Sequence, residues 1–236
     1  MISNSEAAAI TTVTIFGLKT GNIRWGLAQM GKMPLKLKTV SGLKFFKMLG
    51  SGQGLGFSLK PNFNRYGLLC VWENEAAAAT FFAENQAFLE YLQHTTEQWT
   101  IWLKPMQAHG LWDGVNPFPG ADASLQTNGP IAALTRATIR IKALPSFWKH
   151  VPQTSQALRE ADGLLCSIGL GELPFIRQAT FSVWENAEAL KNYAYKNALH
   201  KEVIKRTREE NWYKEELFAR FKPLKAEGLW NGKNPL

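Results

Sequence analysis

Cysteine is scarce in this chain, and no apolar run approaches the roughly 20 residues that cross a bilayer as a helix. Each shortage removes a class of protein. Cys70 and Cys166 are the two cysteines, and both sit inside apolar runs. They read as buried thiols in a reducing cytoplasm, not as a disulfide framework. Met1 to Ala9 lacks a basic segment followed by an apolar core, so no secretory signal is expected. Paired-cysteine and HExxH zinc patterns are missing, and so is a Walker loop. Gly50 to Gly56 is glycine-rich, but it links two strand patterns and opens no helix. It therefore lacks the aligned amides that bind phosphate and reads as a loop. The four histidines are scattered. They do not provide the i, i+3 or i+4 ligand spacing of a di-iron centre.

What is present points to a packed protein. Hydrophobic residues make up 45% of the 236, enough for a real core, which argues against global disorder. The nine Trp and fourteen Phe exceed ordinary usage; core packing takes most, and a large apolar cavity would need such walls too. The net charge of +8 admits nucleic acid or anionic membrane as partners. No RNP-like run puts aromatics on one strand face, so nucleic acid is not expected. Lysines alternate with apolar residues from Lys32 to Lys38 and from Lys44 to Lys47. The ordinary reading is a strand with a solvated lysine face. The sharper reading is a docking face for anionic lipid, with lysine stems on apolar ground and their heads in water.

Two stretches are variants of one text. Cys70-Val71-Trp72-Glu73-Asn74 returns as Ser182-Val183-Trp184-Glu185-Asn186, an offset of 112. Gly110-Leu111-Trp112-Asp113-Gly114 returns as Gly228-Leu229-Trp230-Asn231-Gly232, an offset of 118. The period is too long for a solenoid, whose units run roughly 20–50 residues. The first copy reads as strand (12–19), helix (22–30), strand (42–49), strand (66–72), helix (75–94) and strand (99–107). The second reads as strand (135–142), a helix opened by Pro145, strands (163–170 and 179–184), a helix (187–210) capped by Asn186, and a closing strand (217–222). Pro105 and Pro223 fall in the closing runs and predict edges or bulges. The expected fold class is α+β: tandem ferredoxin-like βαββαβ repeats packed as a barrel-like pseudo-dimer. Residues 1–118 form the first repeat, 119–134 the linker and 135–236 the second.

At offset 112, His200 stands where the first copy has Phe88. Its helical neighbours by threes and fours, Tyr193, Asn197, Val203 and Ile204, lean apolar. Haem needs only one protein ligand and a large apolar pocket, so of the metal centres it best fits this inventory. Ala179 to Trp184, His200, and the run Glu210-Asn211-Trp212-Tyr213-Lys214-Glu215-Glu216-Leu217-Phe218-Ala219-Arg220-Phe221 resemble the spheroidene monooxygenase family, the acyclic-carotenoid ketolases of purple phototrophic bacteria. Phe147 to Pro152 is similar to that family as well. The resemblance implies an oxygen-dependent, haem-containing enzyme fed by reduced ferredoxin, which places a keto group on a linear carotenoid. It makes His200 the metal ligand, with His150 as the alternative. Tyr193 and Trp212 are pocket candidates, and Arg206 and Arg208 candidate partners for haem propionates. A non-catalytic carrier of haem or another apolar ligand is the rival reading. The expected location is the cytoplasm, with a peripheral contact at the inner face of the membrane.

Overall fold

The computed structural model describes residues 9–196 and 198–236; the side chains of residues 153, 154, 195–201 and 204 lie outside that description. The first half runs β1 (Ile10–Leu18), α1 (Ile23–Leu37), β2 (Leu43–Gly52), β3 (Pro61–Trp72), α2 (Glu75–Glu84), α3 (Gln86–Gln93) and β4 (Thr95–Gly110). The second runs β5 (Ile131–Ile139), α4 (Leu144–Arg159), β6 (Leu164–Leu173), β7 (Arg177–Trp184), α5 (Ala187–Lys196), α6 (Ala198–Glu209) and β8 (Tyr213–Gly228). Every strand pair is antiparallel, and the strands close into a barrel in the order β1-β3-β2-β6-β7-β5-β8-β4. No helix among the described residues is long and apolar enough to cross a membrane.

The halves meet at two seams. β4 and β8 pair along most of their length, from Trp99↔Gly228 to Gly110↔Leu217, whereas β2 and β6 pair only at Gly50↔Gly171 and Ser51↔Leu170. The long seam is reciprocal at the offset of 118: Pro105↔Phe221 is answered by Leu103↔Pro223. The ladder slips beside both prolines, so the expected irregularities are bulges inside the seam.

Local chemistry explains the doubled signatures. Trp72 and Trp184 end equivalent strands, buried at 0% and 1% exposure. Each is followed by an asparagine whose Oδ1 accepts a helix amide, Ala77 N at 2.8 Å and Ala189 N at 2.9 Å. Gly110 and Gly228 have φ of +95° and +82°. A Cβ there would lie 2.1 Å from Glu216 O and 2.0 Å from Gln98 O, so only glycine fits. The following residues then cross to the other half, Leu111 N to Glu216 O and Leu229 N to Gln98 O, both at 2.8 Å.

Period-two alternation sends Val13, Ile15, Leu69, Val71, Ile101, Leu134, Phe181, Val183, Leu217 and Phe221 into the barrel interior. Trp112 joins them from its hairpin. Around it six charges meet. Arg136, 1% exposed, is bonded to Glu215 and lies 3.4 Å from both Asp113 and Glu172. Lys47 contacts Asp113 and, at 2.8 Å, Glu172. Arg177 reaches Asp113 at 3.2 Å. Three cations thus balance three carboxylates across the joint between the halves.

Several elements differ from expectation. Residues 32–37 belong to a helix, not to an alternating strand: α1 continues through Pro34 to Leu37. Met33 and Leu37, four apart, are its buried face, so the lysine alternation was a coincidence of helical spacing. Three lysines of that proposed docking face are engaged within the protein: Lys36 with Glu90 at 2.7 Å, Lys44 with Glu73 at 2.9 Å, and Lys47 as above. The helix expected over 75–94 is two helices, because the Asn85 side chain accepts from Phe88 N and starts a new one. β5 also ends earlier than expected: residues 141–143 form a 3₁₀ turn leading into α4.

Candidate active site

The outer faces of the two half-sheets are covered differently. Over the first half, Phe16, Leu68, Cys70, Trp72 and Trp102 pack against Phe81, Phe88 and Tyr91, and the layer is filled. Strand registers set the equivalences in the second half, since Ile10 pairs with Trp72 as Ile131 pairs with Trp184. Phe16 is then replaced by Ala137, Leu68 by Thr180 and Cys70 by Ser182. On the helices Phe82 becomes Ala194 and Tyr91 becomes Val203. Large groups give way to small ones, and a cavity of about 1300 Å³ opens between β5, β7, β8 and the helices α4, α5 and α6. The end of β4 and the linker residues Phe118, Pro119, Ala121 and Ala123 complete its wall.

Its walls are mostly apolar. Phe147, Val151, Leu158, Trp184, Leu190 and Trp212 line it. Tyr193, its ring 5.1 Å from that of Trp184, and Tyr213 also face it. Burial pushes both phenols up to about 12, so they are neutral near pH 7.

The wall also carries polar groups, among them His109, His150, Glu215 and Glu216. His150 is on the wall, its ring centroid 5.6 Å from that of Trp212. Its Nδ1 lies 2.8 Å from Ser146 O. A carbonyl only accepts, so Nδ1 carries a proton and donates it to Ser146 O. Glu210 fixes this corner, accepting from Ser146 Oγ at 2.5 Å and Trp212 Nε1 at 2.9 Å. Those two hydrogen bonds, with Arg206, hold its carboxyl below the usual range. Arg208, Lys214 and Arg220 line the cavity, and none has a carboxylate partner among the described residues. Arg220 stands where the first half has Trp102, which is buried.

Of the residues singled out from sequence, Tyr193, Arg208 and Trp212 come together on this wall. Arg206 does not: Glu202 at 2.7 Å and Glu210 at 3.4 Å hold it on the exposed face of α6. The backbone of His200 belongs to α6, and its side chain lies outside the described residues. His94 lies elsewhere, stacked on Trp25 with centroids 3.8 Å apart. Arg220 was missed, although its offset of 118 from Trp102 was a readable signal. Cys70 and Cys166 are free thiols. Among the described residues no three His, Cys, Asp or Glu side chains gather to hold a metal ion.

The chain is 38% identical over 227 residues to the spheroidene monooxygenase of Cereibacter sphaeroides, covering 95% of this chain and 70% of that protein. It is 37% identical over 218 residues to that of Rhodobacter capsulatus, covering 92% and 90%. The chain belongs to the spheroidene monooxygenase family. Membership makes it a monooxygenase, an oxidoreductase of the carotenoid-related kind. A family model described as a domain of unknown function, DUF3291, matches residues 142–220, which spans most of the cavity wall. An aldoxime dehydratase solved with butyraldoxime superposes with a TM-score of 0.61 at 9% identity, over 96% of this chain and 83% of that one. That likeness is one of fold.

Proposed function

We propose that this protein is a haem-dependent monooxygenase that oxidises a linear carotenoid, or a similar apolar chain, to a ketone with dioxygen and electrons from reduced ferredoxin. The tandem reading is part of the proposal: two βαββαβ units form a barrel-like pseudo-dimer, of which the second holds the prosthetic group. The observation that carries it is the one-sided cavity. Equivalent layers are packed shut in the first half and open in the second.

The residues present fit a haem. Apolar and aromatic walls suit a porphyrin face, and the unpaired cations Arg208, Lys214 and Arg220 suit its carboxylates. His200 is the proposed ligand. Its counterpart Phe88 is 2% exposed and packs between Phe16, Phe81 and Phe82, which supports an inward-facing position. Bound there, haem iron supplies dioxygen activation, chemistry that side chains alone lack. The chain's own part is to ligate, to orient and to exclude water. Trp184, Phe147 and Trp212 give the cavity an apolar wall suited to such a chain. Tyr193 and Tyr213, both neutral, add phenols to the wall without adding charge.

A second ligand reading rests on His150. Metal-bound histidines usually donate their other ring N–H to a carbonyl or carboxylate, and His150 already does so to Ser146. Titration of purified protein with haem tests both readings. His200→Ala should abolish or strongly alter the Soret band, and His150→Ala should leave it. The reverse result transfers the ligand to His150. No Soret shift in the wild type removes the haem reading. Haem uptake without oxygen incorporation into linear carotenoids, with a competent ferredoxin system, leaves a carrier.

A further inference from the structure

The β6–β7 hairpin presents apolar side chains to solvent. At its tip Leu173 is 47% exposed and Phe175 48%. Phe175 has φ of +67°, a conformation costly for a bulky side chain. Ile141, 75% exposed, emerges beside it, because Ile139 N is bonded to Ile176 O at 2.8 Å. Trp148 braces the tip: its indole N–H donates to Phe175 O at 3.1 Å, and the rings meet edge-on at 6.1 Å. Arg140, Lys142 and Lys149 flank these residues, exposed and without a carboxylate partner among the described residues. The nearby acids are spent inward: Glu172 on Arg136 and Lys47, Asp113 on Lys47, Arg136 and Arg177.

We propose that this tip docks the protein on an anionic lipid surface, with Ile141, Leu173 and Phe175 entering the acyl boundary and Arg140, Lys142 and Lys149 meeting the headgroups. Apolar knobs ringed by free cations, with an indole between them, match the layering of a bilayer interface. The patch also adjoins the cavity. Trp148 packs edge-on against Phe147 at 5.2 Å, and Phe147 is a cavity wall. The inference rests on the surface alone and does not need the haem reading.

Sedimentation of the full chain with phosphatidylcholine vesicles, with and without phosphatidylglycerol, tests it. Binding should favour the anionic vesicles and weaken with salt. Asparagine tolerates the left-handed backbone, so Phe175→Asn should fold and yet lower partitioning by about tenfold or more. Lys142→Glu with Lys149→Glu should lower it by at least about tenfold, whereas paired Lys36→Glu should change it by no more than about twofold. Brominated acyl chains should quench tryptophan fluorescence in the wild type and less in Trp148→Phe. Absent binding to anionic vesicles, or binding indifferent to Phe175→Asn, overturns the proposal. Concentration-dependent self-association that Phe175→Asn abolishes, without vesicle binding, overturns it in favour of a protein contact.

Discussion

Replacing Arg136 by methionine should cost about 3 kcal/mol of stability. The guanidinium is 1% exposed and completes a balanced set of three cations and three carboxylates. Its removal leaves Asp113, Glu172 and Glu215 against Lys47 and Arg177 alone. Breaking a fully buried pair costs about 3–5 kcal/mol, mostly from the stranded charge. Here Glu172, Glu215 and Asp113 are 15%, 22% and 35% exposed, so water relieves part of that cost. Methionine also fills the stem's space and keeps contact with Trp112, over which the guanidinium now lies at 5.5 Å. Glu215→Gln should cost less, about 1–2 kcal/mol. The amide oxygen can still accept from Gly114 N, now 2.8 Å from the carboxylate. Arg177→Met, at a side chain 42% exposed, should cost under about 1 kcal/mol. Urea midpoints followed by tryptophan fluorescence give the order. Equal costs for Arg136→Met and Arg177→Met would refute the reasoning, because they would mean that the cluster is hydrated in solution.

Acid should find the same cluster. Burial works to raise the carboxyls of Asp113 and Glu215, but Lys47, Arg177 and Arg136 outweigh it at the first, and the Gly114 and Asp113 amides with Arg136 at the second. Both are held below the ordinary range. Their stabilisation is therefore present above the unfolded carboxylate range, about 4, and lost as pH falls through the lowered folded values. A midpoint flat from pH 7 to 5 and falling below it, with a shallower fall in Glu215→Gln, is the expected profile. Ala194→Phe combined with Val203→Tyr restores the first-half residues Phe82 and Tyr91. It should raise stability of the ligand-free protein by up to about 2 kcal/mol and eliminate haem uptake in the Soret titration.

The succession of strands and helices and the buried tryptophans were legible because they rest on local alternation and a doubled text. Asn74 and Asn186 were readable as caps for the same reason. The break at Asn85 was hidden, since one asparagine inside an otherwise helical pattern does not announce a new start. The charge cluster was invisible: Arg136 and Glu215 are 79 residues apart, and sequence spacing carries no record of which distant carboxylate a cation meets. The cavity was half legible. Phe88 against His200 was noticed, yet Leu68 against Thr180 and Trp102 against Arg220 carry the same information, and only the strand register makes them one layer.

The unequal seams give the barrel a direction of failure. A ladder running from Trp99 to Gly110 resists separation, while the two residue pairs at Gly50 and Ser51 yield first. Under thermal load the molecule should unclasp like a locket, hinged on β4 and β8. The cavity borders the hinge: Gln107, His109, Phe218 and Arg220 all lie on it. The clasp would thus open and reclose with the pocket's floor still assembled, so the amides bonded across it at Gly50, Ser51, Leu170 and Gly171 should exchange with solvent long before those of the β4–β8 ladder do.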